Sequence, residues 1–319
     1  MGIDVGRRSI VEWASKAPEE GGEFEPSATR FVVEAPIGAG GMGEVFLVAD
    51  RDLRRQVAMK VLKEEAARTR AHRLHFVAEA QTTSQLDHPG IPPVHDIGIG
   101  TDGRPYFTMK LVRGRTLGEV IHDLLLRRRD VQKEYNLHRL VTVLERVAET
   151  LQFAHERGVI HRDLKPEKVM LGDYGEVHVM DWGIAHVQGD TDELIELAED
   201  VDVERVETTR TEAGLSTQHG TIKGTVPYMS PEQLRGEAHL DRRTDVYALG
   251  CLLYEVLALQ PAFPSEDPDL LRKKLVGDVV DVQARNPRRR VPDVLADLCR
   301  RAMATDRAER HENASEVGD

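Results

Sequence analysis

The sequence predicts an α+β protein of two lobes, an antiparallel β-rich N-terminal lobe with one main helix followed by a mainly helical C-terminal lobe. Three observations carry this. Short runs rich in β-branched or aromatic residues, separated by glycine or charged turns, fill residues 31–62. After Gly114 apolar residues recur at helical spacing. A length of 319 residues is enough for one large or two medium domains, each with its own core.

Taken in order, residues 1–30 are rich in Gly, Glu, Pro and Ser without sustained periodicity, which predicts a flexible arm. Trp13 in that arm is either a docking anchor or, as the blander reading has it, a partly exposed aromatic. Residues 31–37, 44–49 and 56–62 read as three strands of an antiparallel meander, 68–86 as a helix, and 94–98 and 106–112 as two further strands. These make an N-lobe of residues 31–112. In the expected C-lobe, 113–319, Leu137, Leu140, Val141, Leu144, Val147, Ala148, Leu151 and Ala154 follow the i, i+3, i+4, i+7 pattern of a helix with one buried face. Residues 169–171 and 177–179 flank Gly172-Asp173-Tyr174-Gly175, a hairpin signal, and 244–259 is a largely apolar helix. Residues 188–212 are strongly acidic and unpatterned, as expected of a mobile insert.

Composition narrows the function classes. With 43 basic and 55 acidic residues the net charge is −12, which opposes nonspecific binding to nucleic acid or acidic membranes. The two cysteines, Cys251 and Cys299, lie in apolar helical patterns and offer no metal-site spacing, which fits core packing in a reducing compartment. No apolar run approaches the ~20 residues of a membrane helix and no signal peptide opens the chain, so a cytoplasmic location is expected.

Four motifs carry chemistry. The run from Ile37 to Val45 contains G-x-G-x-x-G-x-V, whose glycines Gly38, Gly40 and Gly43 let backbone approach phosphates. A dinucleotide fingerprint would need a helix after the last glycine. Here Val45-Phe46-Leu47-Val48 continues as strand. Val57-Ala58-Met59-Lys60 follows, then His161-Arg162-Asp163-Leu164-Lys165-Pro166, and thirteen residues after Lys168 comes Asp181-Trp182-Gly183.

In this order the motifs resemble those of protein kinases over residues 31–311, and the wording, including Tyr228-Met229-Ser230-Pro231-Glu232-Gln233 and His88-Pro89-Gly90-Ile91-Pro92-Pro93-Val94, looks most like bacterial Hanks-type serine/threonine kinases. The resemblance implies a two-lobed kinase fold, with ATP and Mg2+ or Mn2+ as cofactors. Lys60 would contact the α and β phosphates and pair with Glu79 on the family helix. Asp163 would orient the substrate hydroxyl and accept its proton, and Lys165 would neutralise charge on the transferred group. Asp181 would hold the metal bridging the β and γ phosphates. The nucleotide would lie among Ile37, Gly38, Gly40, Gly43, Val45, Ala58, Lys60 and Met170, with Met109 as gatekeeper and the backbone of Lys110 and Val112 binding adenine. Structural roles fall to Asp245 behind the catalytic loop and to a Glu232–Arg310 pair.

The segment from Asp181 to Glu232 spans 52 residues. A phosphate on Thr217 or Thr221 there could meet Arg162, while Thr225 would bond Asp163 or Lys165. Implied partners are ATP and proteins bearing Ser or Thr, with a homodimer left open and no nucleic acid. The chain stops soon after Arg310, which suggests a piece of a longer protein, with membrane or sensor domains beyond.

One position departs from the family. Lys168 stands where kinases carry the catalytic-loop Asn that holds magnesium. An amide oxygen can ligate the metal; an ammonium has only donors and repels it. The other groups, Lys60, Glu79, Asp163, Lys165 and Asp181, are all present. An impaired kinase is therefore expected, the alternative being a pseudokinase that binds nucleotide or partner proteins without catalysis.

Overall fold

The structure, a computed structural model, describes residues 30–182, 186–187 and 225–318. The expected N-terminal arm with Trp13, the acidic insert, Gly183, Thr217 and Thr221 lie outside the described residues. The strands are β1 (Phe31–Ala39), β2 (Gly43–Asp50), β3 (Arg55–Leu62), β4 (Val94–Ile99), β5 (Pro105–Met109), β6 (Gly114–Thr116), β7 (Val159–Ile160), β8 (Val169–Gly172), β9 (Val177–Val179) and β10 (His186–Val187). The helices are α1 (Glu64–Ala67), α2 (Arg70–Gln85), α3 (Leu117–Leu125), α4 (Arg129–Glu134), α5 (Leu137–Glu156), α6 (Pro231–Leu234), α7 (Arg243–Ala258), α8 (Leu270–Val276), α9 (Val282–Arg285), α10 (Asp293–Ala302) and α11 (Ser315–Gly318). They form two compact units, one built from the chain up to Leu117 together with Glu167–Ile184, the other from the remainder.

In the first unit an all-antiparallel sheet has the order β1-β2-β3-β5-β4. The meander therefore ends at β3. All five residues of β5 are buried, so it needs a neighbour on each side, whereas half-buried β4 takes the edge. Along β3 the two-residue period sends Ala58 and Leu62 into one apolar cluster with Phe76 and Phe107, and Val57, Met59 and Val61 into another with Phe31 and Tyr106. Each buried Val, Leu, Met or Phe among them contributes about 1.5–3 kcal/mol.

Two boundaries differ from expectation. The helix expected over 68–86 runs from Arg70 to Gln85, because Thr69 is extended (φ −95°, ψ 122°), and the short α1 precedes it. The last strand ends at Met109 rather than residue 112: its pairing with β3 stops there, although the Lys110 N–H still reaches the Pro93 carbonyl (3.0 Å) just before β4. A separate sheet, β6-β8-β9, explains why Glu167–Ile184 belongs with the first unit. Gly114 (φ +143°) is obligatory there, since a Cβ would sit 1.9 Å from the Leu171 carbonyl oxygen.

In the second unit α5 starts at Asn136, whose side chain accepts from the Arg139 N–H (2.9 Å). It buries Leu140, Val143, Leu144, Val147 and Leu151. Helix α7 is buried from Thr244 to Ala258, and α10 packs so closely that a Cβ on Gly250 would lie 2.8 Å from Ala302 Cβ. Cys251 and Cys299 are free and buried, as core residues should be.

Candidate active site

In the first unit the glycine turn between β1 and β2 is closed by the Gly40 N–H on the Gly43 carbonyl (2.8 Å) and by Lys63, whose ammonium donates to the Gly40 carbonyl (2.6 Å). Only Gly43 is required by packing. A Cβ there would press to 3.0 Å from the Val61 carbonyl oxygen and 3.4 Å from the Lys60 side chain, while those at Gly38 and Gly40 would meet nothing nearer than 3.8 Å.

Lys60 sits mid-sheet, opposite Val45 on β2 and Phe107 on β5. Its ammonium donates to Glu79 Oε1 on α2 and, at 3.3 Å, to Asp181 Oδ1. The other Asp181 oxygen, Oδ2, accepts from Lys168 Nζ. Burial alone would lower the Lys60 ammonium, but Asp181 and then Glu79 outweigh it and hold Lys60 well above its ordinary value. Burial likewise would raise the Asp181 carboxyl, yet the charges of Lys60 and then Lys168 keep it well below the carboxylate range.

Local structure fixes this cluster. The Met180 N–H donates to the Lys168 carbonyl (2.8 Å), pinning the start of β8 beside the end of β9. Asp181 is left-handed (φ +59°), which Asp tolerates better than most residues. Trp182 is buried, its indole N–H on the Val179 carbonyl (3.1 Å), so the aromatic is an anchor.

The donor set is a poor match for the family's metals. Of the two positions that hold them in the family, one is here the Lys168 ammonium, with no lone pair to offer, and the other is the Asp181 carboxylate, engaged through both oxygens. The described residues contain no group of three or more potential ligands. The remaining nucleotide residues fare better, since Val45, Ala58 and Met109 belong to one apolar cluster. Ile37 is exposed on β1, and Met170 is half-buried on β8, paired with His178. The Lys110 N–H is committed to the Pro93 carbonyl.

In the second unit the catalytic-loop sequence is held from behind by one carboxylate. Buried Asp245 on α7 accepts from the His161 N–H through Oδ2 and from the Arg162 N–H through Oδ1, both at 2.8 Å, and its Oδ2 also meets His155 Nε2 at 2.8 Å. Burial would raise the Asp245 carboxyl, but the His155 bond keeps it below its ordinary value. These bonds hold Arg162 left-handed (φ +64°), and its carbonyl accepts from Gln233 Nε2 (2.8 Å). The next residue is Asp163, with Lys165 Nζ 3.9 Å from its Oδ2.

Lys165 also donates to Thr225 Oγ1 (2.8 Å). The segment after Thr225 is anchored by a buried ammonium that motif reading missed, Lys274, which donates to the Pro227 carbonyl (2.7 Å) and lies over the rings of Phe263 and Tyr247. Tyr228 donates to Glu255 (2.7 Å). Arg310 closes a bidentate pair on Glu232 (2.7 and 2.8 Å). Lys63, Lys274 and His178, which meets Lys110 (3.2 Å), lie in no motif; Lys274 is the last of three successive basic residues, and only its place four residues after Leu270, on the same helix face, could have signalled it.

A family model described as the protein kinase domain matches residues 31–317. The chain is 33% identical over 293 residues to the serine/threonine-protein kinase PknD of Protochlamydia amoebophila, covering 88% of this chain and 28% of that protein. It is 33% identical over 294 residues to PknB of Mycolicibacterium smegmatis, covering 90% and 42%. The chain thus spans less than half the length of these curated relatives. Among solved structures, a mutant of the PknI kinase domain of Mycobacterium tuberculosis is similar with a TM-score of 0.62 and 25% identity, covering 95% of this chain and 97% of that one. The chain therefore has the two-lobed α+β kinase fold and belongs to the protein kinase domain family, among the bacterial Hanks-type serine/threonine kinases.

Proposed function

We propose that the chain transfers the γ-phosphate of ATP to Ser or Thr hydroxyls of proteins, at a rate lowered by Lys168. The observation that carries this is Lys60 bonded at once to Glu79 and Asp181, the arrangement that phosphoryl transfer in this family needs. The glycine turn and Lys60 bind the phosphates, and the Val45, Ala58 and Met109 surface with the Lys110 and Val112 backbone takes adenine. Asp163 orients the substrate hydroxyl and accepts its proton as the oxygen bonds to the γ-phosphorus. The bond from that phosphorus to the β-phosphate bridging oxygen breaks, ADP leaves, and Lys165 neutralises charge on the moving group. Thr225, bonded to Lys165, shapes the substrate side.

In this family a divalent cation such as Mg2+ or Mn2+ supplies charge neutralisation at the phosphates. The pairing of Lys168 with Asp181 disfavours that, and it supports a second reading, a pseudokinase that binds nucleotide without transfer. Transfer from ATP to a generic protein substrate decides. Lys168→Asn, which restores a neutral ligand, should raise the rate at least ~10-fold, equivalent to about 1.4 kcal/mol of barrier. Asp163→Ala should abolish transfer. No transfer by either the natural chain or Lys168→Asn, with nucleotide still bound, would select the pseudokinase.

A further inference from the structure

With Asn at position 168 the cluster around Asp181 would hold one cation, Lys60, against two carboxylates, Glu79 and Asp181. That surplus of negative charge would favour a divalent ion, which would neutralise charge at the phosphates. Here Lys168 makes it two cations against two carboxylates. The pull on a divalent ion is cancelled, and both Asp181 oxygens already accept from ammonium groups.

The pair is built in. Lys168 is tied to the strand leading into Asp181 through the Met180 N–H on its own carbonyl (2.8 Å), and its side chain is only 18% exposed. Asp181 is fixed next to buried Trp182. A lysine merely tolerated in this place would extend toward water, since its stem is long and its head strongly hydrated.

We infer that Lys168 is a tethered cation taking the place of a metal ion, so that this chain binds ATP as the free, metal-free triphosphate. The ligand class is a nucleoside triphosphate without its divalent ion, met by the ammonium groups of Lys60 and Lys168. This rests on the nucleotide-binding part of the proposed function. Magnesium in solution then contributes little to affinity, because its usual seat is neutralised, and it competes by complexing free ATP.

The test is equilibrium binding of ATP to the 319-residue chain by calorimetry, in EDTA and in excess magnesium. The unsubstituted chain should bind at least ~10-fold more tightly in EDTA than in excess magnesium, which sequesters the free triphosphate. Lys168→Asn should bind at least ~10-fold more weakly in EDTA than in magnesium, whereas Lys168→Arg, which keeps the charge, should retain binding in EDTA. Binding by the natural chain only when magnesium is present would overturn the inference and leave nucleotide binding standing. Failure to bind ATP in either buffer would overturn both. The EDTA and magnesium arms of the natural chain decide the matter even if a variant does not fold.

Discussion

Replacing Asp245 by Asn changes no volume, yet it should loosen the loop that presents Asp163. The carboxylate receives three donors, two backbone N–H groups and His155 Nε2, all at 2.8 Å, shared between its two oxygens. An amide has one oxygen. If that oxygen faces His161 and His155, the new NH2 group meets the Arg162 N–H, donor against donor. If it turns the other way, two donors are stranded. Either orientation loses at least one bond to a charged group and buries an unpaired N–H. With bonds to charged groups at about 1.5–3 kcal/mol each, the loss should be about 3 kcal/mol. In a body of ~150–250 residues that lowers the unfolding midpoint by about 6–12 °C. Because Arg162 is left-handed only while both its backbone groups are bonded, Asp163 should shift as well, and misplacement of about 1 Å can cost ~100-fold in rate. Thermal unfolding, amide hydrogen exchange at His161 and Arg162, and phosphate transfer by Asp245→Asn measure the three effects. A variant within about 0.5 kcal/mol of the parent, with unchanged exchange at those amides, would refute the reasoning.

Two further expectations concern pH. Glu232 and Arg310 are 2% and 0% exposed, and although burial raises the Glu232 carboxyl, the Arg310 bonds hold it below its ordinary 4.5. The pair's stabilisation is complete above that value and lost as pH falls through the depressed one, so Glu232→Gln should cost ~3–5 kcal/mol in urea unfolding near neutrality and progressively less in acid; a difference that grows on acidification contradicts this. Burial pushes Lys274 down to about 8 from 10.5, so the folded chain releases that proton first and stability should rise as pH climbs from the lower value to the higher, by roughly 1.4 kcal/mol per pH unit. Lys274→Met should lack the rise, and parallel stability curves for the two proteins across that window would exclude it.

The two-lobe fold was legible wherever local pattern and packing agree. The stripe from Leu137 to Ala154 became α5 because one buried face needs nothing beyond helical spacing, and β1 to β3 followed from alternating residues and glycine turns. Motif spacing also named Lys60, Glu79 and Asp181, which the structure brings into one bonded cluster. Strand order did not show in the sequence, because whether β4 or β5 lies beside β3 depends on which strand can be buried on both sides. Nor did the end of β5 at Met109, which is set by where its pairing with β3 stops.

Most of all, the sequence determined that Lys168 stands where the family has a metal-binding amide, and it left the consequence open between an impaired kinase and a pseudokinase. Tertiary structure decided where the ammonium goes. Residues 168 and 181 are thirteen apart, and only the β8–β9 hairpin, with Met180 bonded to the Lys168 carbonyl, brings Nζ onto Asp181. Charge acts through distance in space, so a sequence can name both partners of such a pair without revealing that they meet.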